Sequence, residues 1–349
     1  MDTLTHALSG ALLARATTSR TDAPGSLSLR ARVWVCAAAA AFPDSDFLLT
    51  LIGPLTYLNG HRGITHSLLL LPLWSVLLAL LFTAVGRGRY HWRGYVGICA
   101  QGIGIHIAGD VITSYGTQIF APLSHFSVAW PYTFIIDPYF TGIILFGLFA
   151  GWRWQSPHIA RLALFILASY VGAQAGLQHA ALLIATRQIA TQHLTGASAQ
   201  ALPQPFSPFS WKLIIAQGDN YQETYVNLLT QTAPAPAPDQ ADIWIRLRAQ
   251  YRPANQLIWL LRARFGDAQE APLARQVWAR PEFSAYRRFA VYPALYRIDT
   301  DAAQQCVWFV DLRFTIDALT PPFRYGLCRA NDSAAWQLRS LARDYLKYD

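Results

Sequence analysis

Ionisable residues inside long apolar runs constrain this chain more than any other feature. Five runs approach the ~20 mostly apolar residues that a membrane-crossing helix needs: residues 33–52, 64–85, 95–120, 134–152 and 162–184. A shorter apolar stretch, residues 4–16, reads as a helix that is re-entrant or packed in the bundle. Charge is costly at membrane depth, so Asp or His there is a functional candidate by default. The expected fold is a membrane all-α helical bundle of about five spans plus the short N-terminal helix, followed by a soluble α+β domain.

Composition supports this division. Only 14% of residues are charged and mean hydropathy is +0.22, against about a quarter charged in ordinary soluble proteins. Residues 1–204 contain six acids, all Asp, while residues 205–349 hold fourteen of the twenty acids and seventeen of the 28 basic residues. All nine histidines precede residue 194. The reading is a transmembrane part over residues 1–185, a polar then Pro-rich connector over 186–210, and an extracytoplasmic domain over 211–349.

The net charge of +8 does not indicate nucleic-acid binding. No basic run exists in the soluble part, and the excess lies mostly in short loops. Arg15, Arg20, Arg30 and Arg32 form one group; Arg87, Arg89 and Arg93 a second; Arg153 and Arg161 a third. These loops alternate so as to share one side, the cytoplasm by the positive-inside rule. The N-terminus, the loop around His61, residues 123–132 and the C-terminal domain then face outward, as a multi-pass inner-membrane protein with a periplasmic domain. The N-terminal sequence MDTLTHALSG has no basic region of the signal-peptide kind. Cys306 and Cys328 lie in strand-like stretches of the tail, and their pairing is left open.

Past residue 210, residues 211–216 and 222–229 flank Gly218-Asp219-Asn220 as a hairpin. Residues 243–248, 257–264, 289–298, 306–316 and 323–329 read as strands, part of 271–289 as helix, and 334–345 as a terminal helix.

The chemistry concentrates in four motifs. His6 is on the short helix, Asp44 and Asp46 are in PDSD, His61 and His66 are in HRGITHS, and His106 and Asp110 are in HIAGD. Imidazole and carboxylate are the N/O donors preferred by zinc, manganese and iron. His106 and Asp110 are four apart and so share a helix face. The orientation inferred from arginines places all seven residues toward the outer leaflet. The metal candidates are His6, Asp44, His61, His66, His106 and Asp110; the catalytic candidates are Asp46, Arg62 and Asp110. So many donors suit two or more divalent ions, Zn²⁺ first, with Mn²⁺ or Fe²⁺ as alternatives. Arg62 is placed to hold a phosphate or carboxylate oxygen, or to lie at the interface. Tyr115 and Thr117 either orient substrate or mark a helix end at Gly116. Asp137 either joins the site or caps a helix beside Pro138. His91, His125, His158, His179 and His193 read as solvated or interfacial.

The stretches MDTLTHALSGALLAR, FPDSD, HRGITHS and HIAGDVITSYGT, with FIIDPYFTG and VDLRF further on, resemble the YdjM-type family of membrane-bound metal-dependent hydrolases. The resemblance runs over essentially the whole chain and implies a metal-dependent hydrolase of the bacterial inner membrane. More distantly, the early THxxxG, the PD and the HxxxD are similar to zinc-dependent phospholipase C. That implies His6, Asp44, His61, His66, His106 and Asp110 as ligands, and a phosphoester or other ester in a lipid-like substrate, with membrane lipid as partner. One departure is that no Glu precedes Glu223, which leaves acid/base work to Asp or water. A transporter or proton relay through Asp44, His106 and Asp110, and a non-catalytic scaffold with a periplasmic partner, are the alternatives.

Overall fold

The computed structural model describes residues 1–18, 26–238, 240–333 and 335–341; Arg20, of the first arginine group, lies outside the described residues. Helix α1 (Thr3–Ala16) starts at Asp2, whose carboxylate accepts from the Thr5 amide at 3.0 Å, a standard N-cap. Helix α2 (Leu29–Ala41) passes into a 3₁₀ segment, Phe42–Leu51. Pro43 lacks an N–H and cannot continue the α-helical ladder. After α3 (Pro54–Gly60) and a short 3₁₀ turn, Ile64–His66, come α4 (Leu71–Val85), α5 (Trp92–Val111), α6 (Pro138–Arg153) and α7 (Pro157–Thr191).

The expected five spans are corrected here. Among the described residues, two helices are long and apolar enough to cross a membrane: Leu29–Leu51 and Pro157–Thr191. The pair Leu55–His66 and Leu71–Val85 adds a third only if taken as one span, and it is bent by 82°. Each missing span fails for a local reason. In residues 64–85 the backbone turns extended at Ser67, which leaves 15 helical residues in α4. In residues 95–120 helix α5 is long enough at 20 residues, but Gln101, His106, Asp110 and its glycines leave it less apolar than a span; after it, Thr117 bridges to Val128. In residues 134–152 helix begins only at Pro138, because Asp137 caps it through the Tyr139 and Phe140 amides. The 16 residues of α6 reach about 24 Å, short of a ~30 Å hydrocarbon core.

Backbone contacts divide the chain into two units. The first comprises Met1–Ile52, Gly60–Gly176 and Pro203–Pro208; the second comprises Gly53–Asn59, Leu177–Leu202 and Phe209–Asp349. In the first, α2 lies against both α1 and α5 at very short range. A Cβ on Gly10 would come 2.6 Å from the Cys36 carbonyl oxygen, and one on Gly102 also 2.6 Å from it. Small residues at such crossings let backbones approach in membrane helices. Cys36, Ala39, Cys99 and Ile103 are fully buried around this crossing.

The second unit holds β1 (Ser198–Pro203), β2 (Ser210–Gln217), β3 (Asn220–Asn227) and β4 (Leu260–Ala263) in one antiparallel order, with α8 (Ile243–Ala249) between β3 and β4 in sequence. After α9 (Ala271–Trp278) and α10 (Ser284–Phe289), strands β5 (Pro293–Thr300), β6 (Gln304–Asp311), β7 (Tyr325–Ala330) and β8 (Gln337–Ser340) form the second sheet. Trp211, Leu213 and Ile215 pack with Ala181 and Ala185 of α7. Lys212 ties the sheets together: its ammonium pairs with Glu223 at 2.7 Å and donates to the carbonyls of Leu312 and Thr315. Burial lowers its pKa, and Glu223 opposes that shift. Cys306 and Cys328 face each other across β6 and β7 and form a disulfide.

Two local expectations fail. Residues 243–248 are helix α8, because Asp242 caps it through the Trp244 amide at 2.8 Å; the alternation in IWIRLR imitated a strand. Gln337–Ser340, expected to be helical, pairs as β8 with β7, and the rest of that stretch, from 342, lies outside the described residues.

The α2 crossing generates a prediction. Gly102→Ala places a methyl 2.6 Å from backbone and is expected to destabilise the protein by about 1–3 kcal/mol. Gly97→Ala, on the same helix with nothing within 4 Å, should be neutral or stabilising by up to ~1 kcal/mol. Unfolding of both variants in mixed micelles measures the difference; equal stabilities would refute the close crossing.

Candidate metal centre

Three elements of the first unit converge on one point. Asp44 comes from the 3₁₀ segment, His66 from the turn before α4, and His106 and Asp110 from α5. One donor atom from each lies within 4.8 Å of all the others. His66 Nε2 is 2.9 Å from His106 Nε2 and 3.1 Å from Asp110 Oδ2. His106 Nε2 is 3.4 Å from Asp110 Oδ2, and Asp44 Oδ1 lies 3.6 Å from His106 Nε2 and 3.9 Å from His66 Nε2. A tetrahedral zinc with bonds near 2.0 Å would space its ligand atoms about 3.3 Å apart, in the middle of these distances.

Hydrogen bonding behind the ligands fixes what faces the centre. His106 Nδ1 is 2.6 Å from the Ala40 carbonyl oxygen, which can only accept, so this nitrogen carries the proton. His66 Nδ1 is 3.0 Å from the Thr65 hydroxyl, which itself donates to Asp46 Oδ2 at 3.3 Å. The proton of His66 is therefore also on Nδ1. In neutral rings both Nε2 atoms then present lone pairs, and two lone pairs 2.9 Å apart repel. Asp110 Oδ2 points at the same place, buried and with no hydrogen-bond partner. Converging, mutually unsatisfied Lewis bases are the donor chemistry a divalent cation requires, so these residues fit one.

Asp110 divides its oxygens. Oδ1 takes the Met1 amino group at 2.5 Å, His6 Nε2 at 3.0 Å and Arg62 Nη2 at 3.0 Å. Oδ2 is left for the centre. Arg62 is buried, and its Nη1 also donates to the Asp110 carbonyl and the Thr113 hydroxyl, at 3.2 and 2.7 Å. Its backbone adopts φ 59°, a left-handed conformation that costs a non-glycine residue free energy. The Arg62 amide is held there by Asp46 Oδ2 at 2.9 Å.

Of the six sequence-predicted ligands, Asp44, His66, His106 and Asp110 contribute to the four-atom group. His6 and His61 do not. His6 binds Asp110 Oδ1 and stacks on the His106 ring at 3.6 Å. His61 donates Nδ1 to Asp46 Oδ1 at 2.8 Å and meets Tyr115 edge-on. Of the catalytic candidates, Asp110 is in the group; Asp46 and Arg62 stand directly behind it. Asp137 caps α6 and accepts from the Tyr170 hydroxyl at 2.8 Å, and Thr117 belongs to the bridge with Val128. Sequence reasoning missed Thr3, whose hydroxyl donates to Asp44 Oδ2 at 2.6 Å, as well as Thr65, Thr113 and the Ala40 carbonyl. Thr65 had a visible signal, being next to His66. The Ala40 carbonyl had none, because backbone carries no residue code.

The YdjM inner membrane protein family matches residues 1–181, a stretch that includes every residue of the centre. Among curated proteins, the chain is 28% identical over 169 residues to the uncharacterized protein YfhP of Bacillus subtilis strain 168. That match covers 48% of this chain and 51% of YfhP, so the chain spans about half the length of that relative. No solved structure matches it. The family description gives a location and no reaction.

Asp46 contacts His61, Arg62, Thr65 and His66 without entering the group. Carboxylates in that position typically set metal affinity by 10–100-fold. Asp46→Asn is expected to weaken Zn²⁺ binding by about that factor with stoichiometry unchanged. Competition titration against a chelator reads both values; an unaltered affinity would remove Asp46 from this role.

Proposed function

Because this chain belongs to the YdjM inner membrane protein family, we propose that its first unit is a membrane-embedded, metal-dependent hydrolase acting on a phosphoester or other ester in a lipid-like substrate. The observation that carries the reading is the pair of Nε2 lone pairs 2.9 Å apart beside an unpartnered, buried Asp110 oxygen. Asp44, His66, His106 and Asp110 would hold a divalent ion, Zn²⁺ first and Mn²⁺ or Fe²⁺ as alternatives, with further ions a matter for measurement. When bound, such an ion supplies Lewis-acid polarisation of an ester oxygen and acidifies water.

The chain's own residues do the rest. Arg62 balances the Asp110 charge in a setting that excludes water. Asp46 holds His61 with Nδ1 protonated, which leaves Nε2 as the basic atom of that ring. Among the site side chains, Asp44 and His61 are each 14% exposed, while His66, His106 and Asp110 are fully buried. Substrate therefore approaches on the Asp44–His61 side, and His61 is the group placed to accept a proton there. We take the C-terminal domain to be extracytoplasmic. The disulfide between Cys306 and Cys328 supports this, since such bonds persist in oxidising compartments, and the arginine distribution agrees when the bent pair Leu55–His66 and Leu71–Val85 counts as one span.

Purified protein is expected to retain at least one divalent ion per chain by elemental analysis, and His106→Ala and Asp110→Ala to lose it. With mixed phospholipids and Zn²⁺ or Mn²⁺, hydrolysis should fall by about 100-fold or more in His106→Ala, given the several kcal/mol that Lewis-acid stabilisation provides. A metal-free wild type, or hydrolysis indifferent to His106, would overturn the proposal.

A further inference from the structure

Resting on the hydrolase reading above, we infer that the substrate is a bilayer lipid that reaches the centre sideways, its apolar chain lying along Phe47, Leu48 and Leu51. Asp44 is the one member of the four-residue group that is not fully buried, so the surface around it decides what can enter. It lies on the 3₁₀ segment Phe42–Leu51. With three residues per turn, side chains at i and i+3 eclipse one another, so Phe47 and the exposed Thr50 stand on the same edge as Asp44, and Leu48 and Leu51 on the edge beside it. Phe47 is 58% exposed, and Leu48, Leu51 and Ile52 are 52, 82 and 74% exposed. On the other side of Asp44, its hydrogen-bond partner Thr3 is exposed, and the next residue, Leu4, is 67% exposed. The accessible flank of the centre is therefore mostly apolar, with the Thr3 and Thr50 hydroxyls, the Asp44 carboxylate and the partly exposed His61 as its polar spots.

Depth agrees with this. Leu29–Leu51 qualifies as a span. Thirteen α-helical and ten 3₁₀ residues make it about 40 Å long, comparable to a bilayer with its head groups. Asp44 is seven residues from Leu51, roughly 14 Å along the 3₁₀ axis. That places it about 6 Å from the middle of the span, inside the hydrocarbon core and below the boundary where a lipid's ester groups join its chains. A water-soluble ester would have to leave water to reach that depth; a lipid is already in the bilayer and has only to draw its ester inward along the protein.

The test uses the full chain in phospholipid nanodiscs with Zn²⁺ and a phosphatidylglycerol probe carrying a diazirine on the acyl chain close to the ester. After irradiation, labelled residues are mapped by mass spectrometry across a range of probe fractions. Labelling at Phe47, Leu48 and Leu51 should saturate, as at a binding site. Labelling at Phe165, a 70% exposed residue of α7, should rise in proportion to probe, as for bulk lipid. Excess unlabelled phosphatidylglycerol should suppress the saturable labelling several-fold and glycerophosphate should not. Phe47→Glu should abolish it while metal content, measured on the same sample, stays at the wild-type value. Labelling of residues 44–52 that is absent or parallels Phe165, or that glycerophosphate competes away, overturns the lateral route. Metal content is read separately, so a metal-free protein sinks the hydrolase reading while the labelling pattern still judges the route.

Discussion

The bundle depends on how one buried carboxylate is neutralised. Asp110 has no exposed surface, and an uncompensated charge there would cost several kcal/mol even after relaxation. Three donors from separate places in the chain meet on Oδ1: the Met1 amino group, His6 and Arg62. Together they pin two separate pieces of chain to α5. His6 brings α1, and Arg62 brings the loop that carries His61 and His66. Because one oxygen takes all three donors, the other stays open toward the two imidazoles. The interactions that let Asp110 be buried are thus the ones that aim it.

A second constraint comes from backbone packing. His106 is oriented by a carbonyl, Ala40, at the end of α2. That contact requires α5 to approach α2 closely, and Gly102, one turn before His106, permits it. Gly10 does the same for α1, which brings His6 onto the His106 ring at stacking distance. The glycines bear no chemistry themselves, yet the imidazole geometry follows from them. Past Ala41, Pro43 converts the helix to 3₁₀ form. The tighter turn fixes the faces on which Asp44 and Asp46 lie, one toward the centre and one toward the 61–66 loop.

Much of the centre was legible in the sequence. His106 and Asp110 share a face by helix arithmetic alone, and ionisable groups among apolar residues singled out Asp44 and His66. The division of the histidines was not legible. His6, His61, His66 and His106 look equivalent as residue types, and only the fold shows that two of them turn to carboxylate oxygens. The spans were misjudged for a related reason. Counting apolar residues ignores where the backbone breaks, and Ser67 and Asp137 each cut a run into pieces too short to cross, while α5 is long enough but carries Gln101, His106 and Asp110. In the tail, alternation in IWIRLR signalled a strand, while the capping Asp242 immediately before it carried the better information.

The residues around the centre that are not ligands follow from the same economy of polar groups. An imidazole placed among apolar side chains needs a partner for its second nitrogen. His106 finds the Ala40 carbonyl, and His66 finds Thr65 and Asp46. Asp46 in turn needs donors, which His61 and the Arg62 amide supply. Asp110 needs donors, which the α-amino group, His6 and Arg62 supply. Each ligand thus brings further polar residues with it, out to backbone groups and the partly exposed His61. Clusters of His and Asp in an apolar chain should on this logic outnumber the ligands they serve, and the surplus marks where the inner ring makes contact with its support.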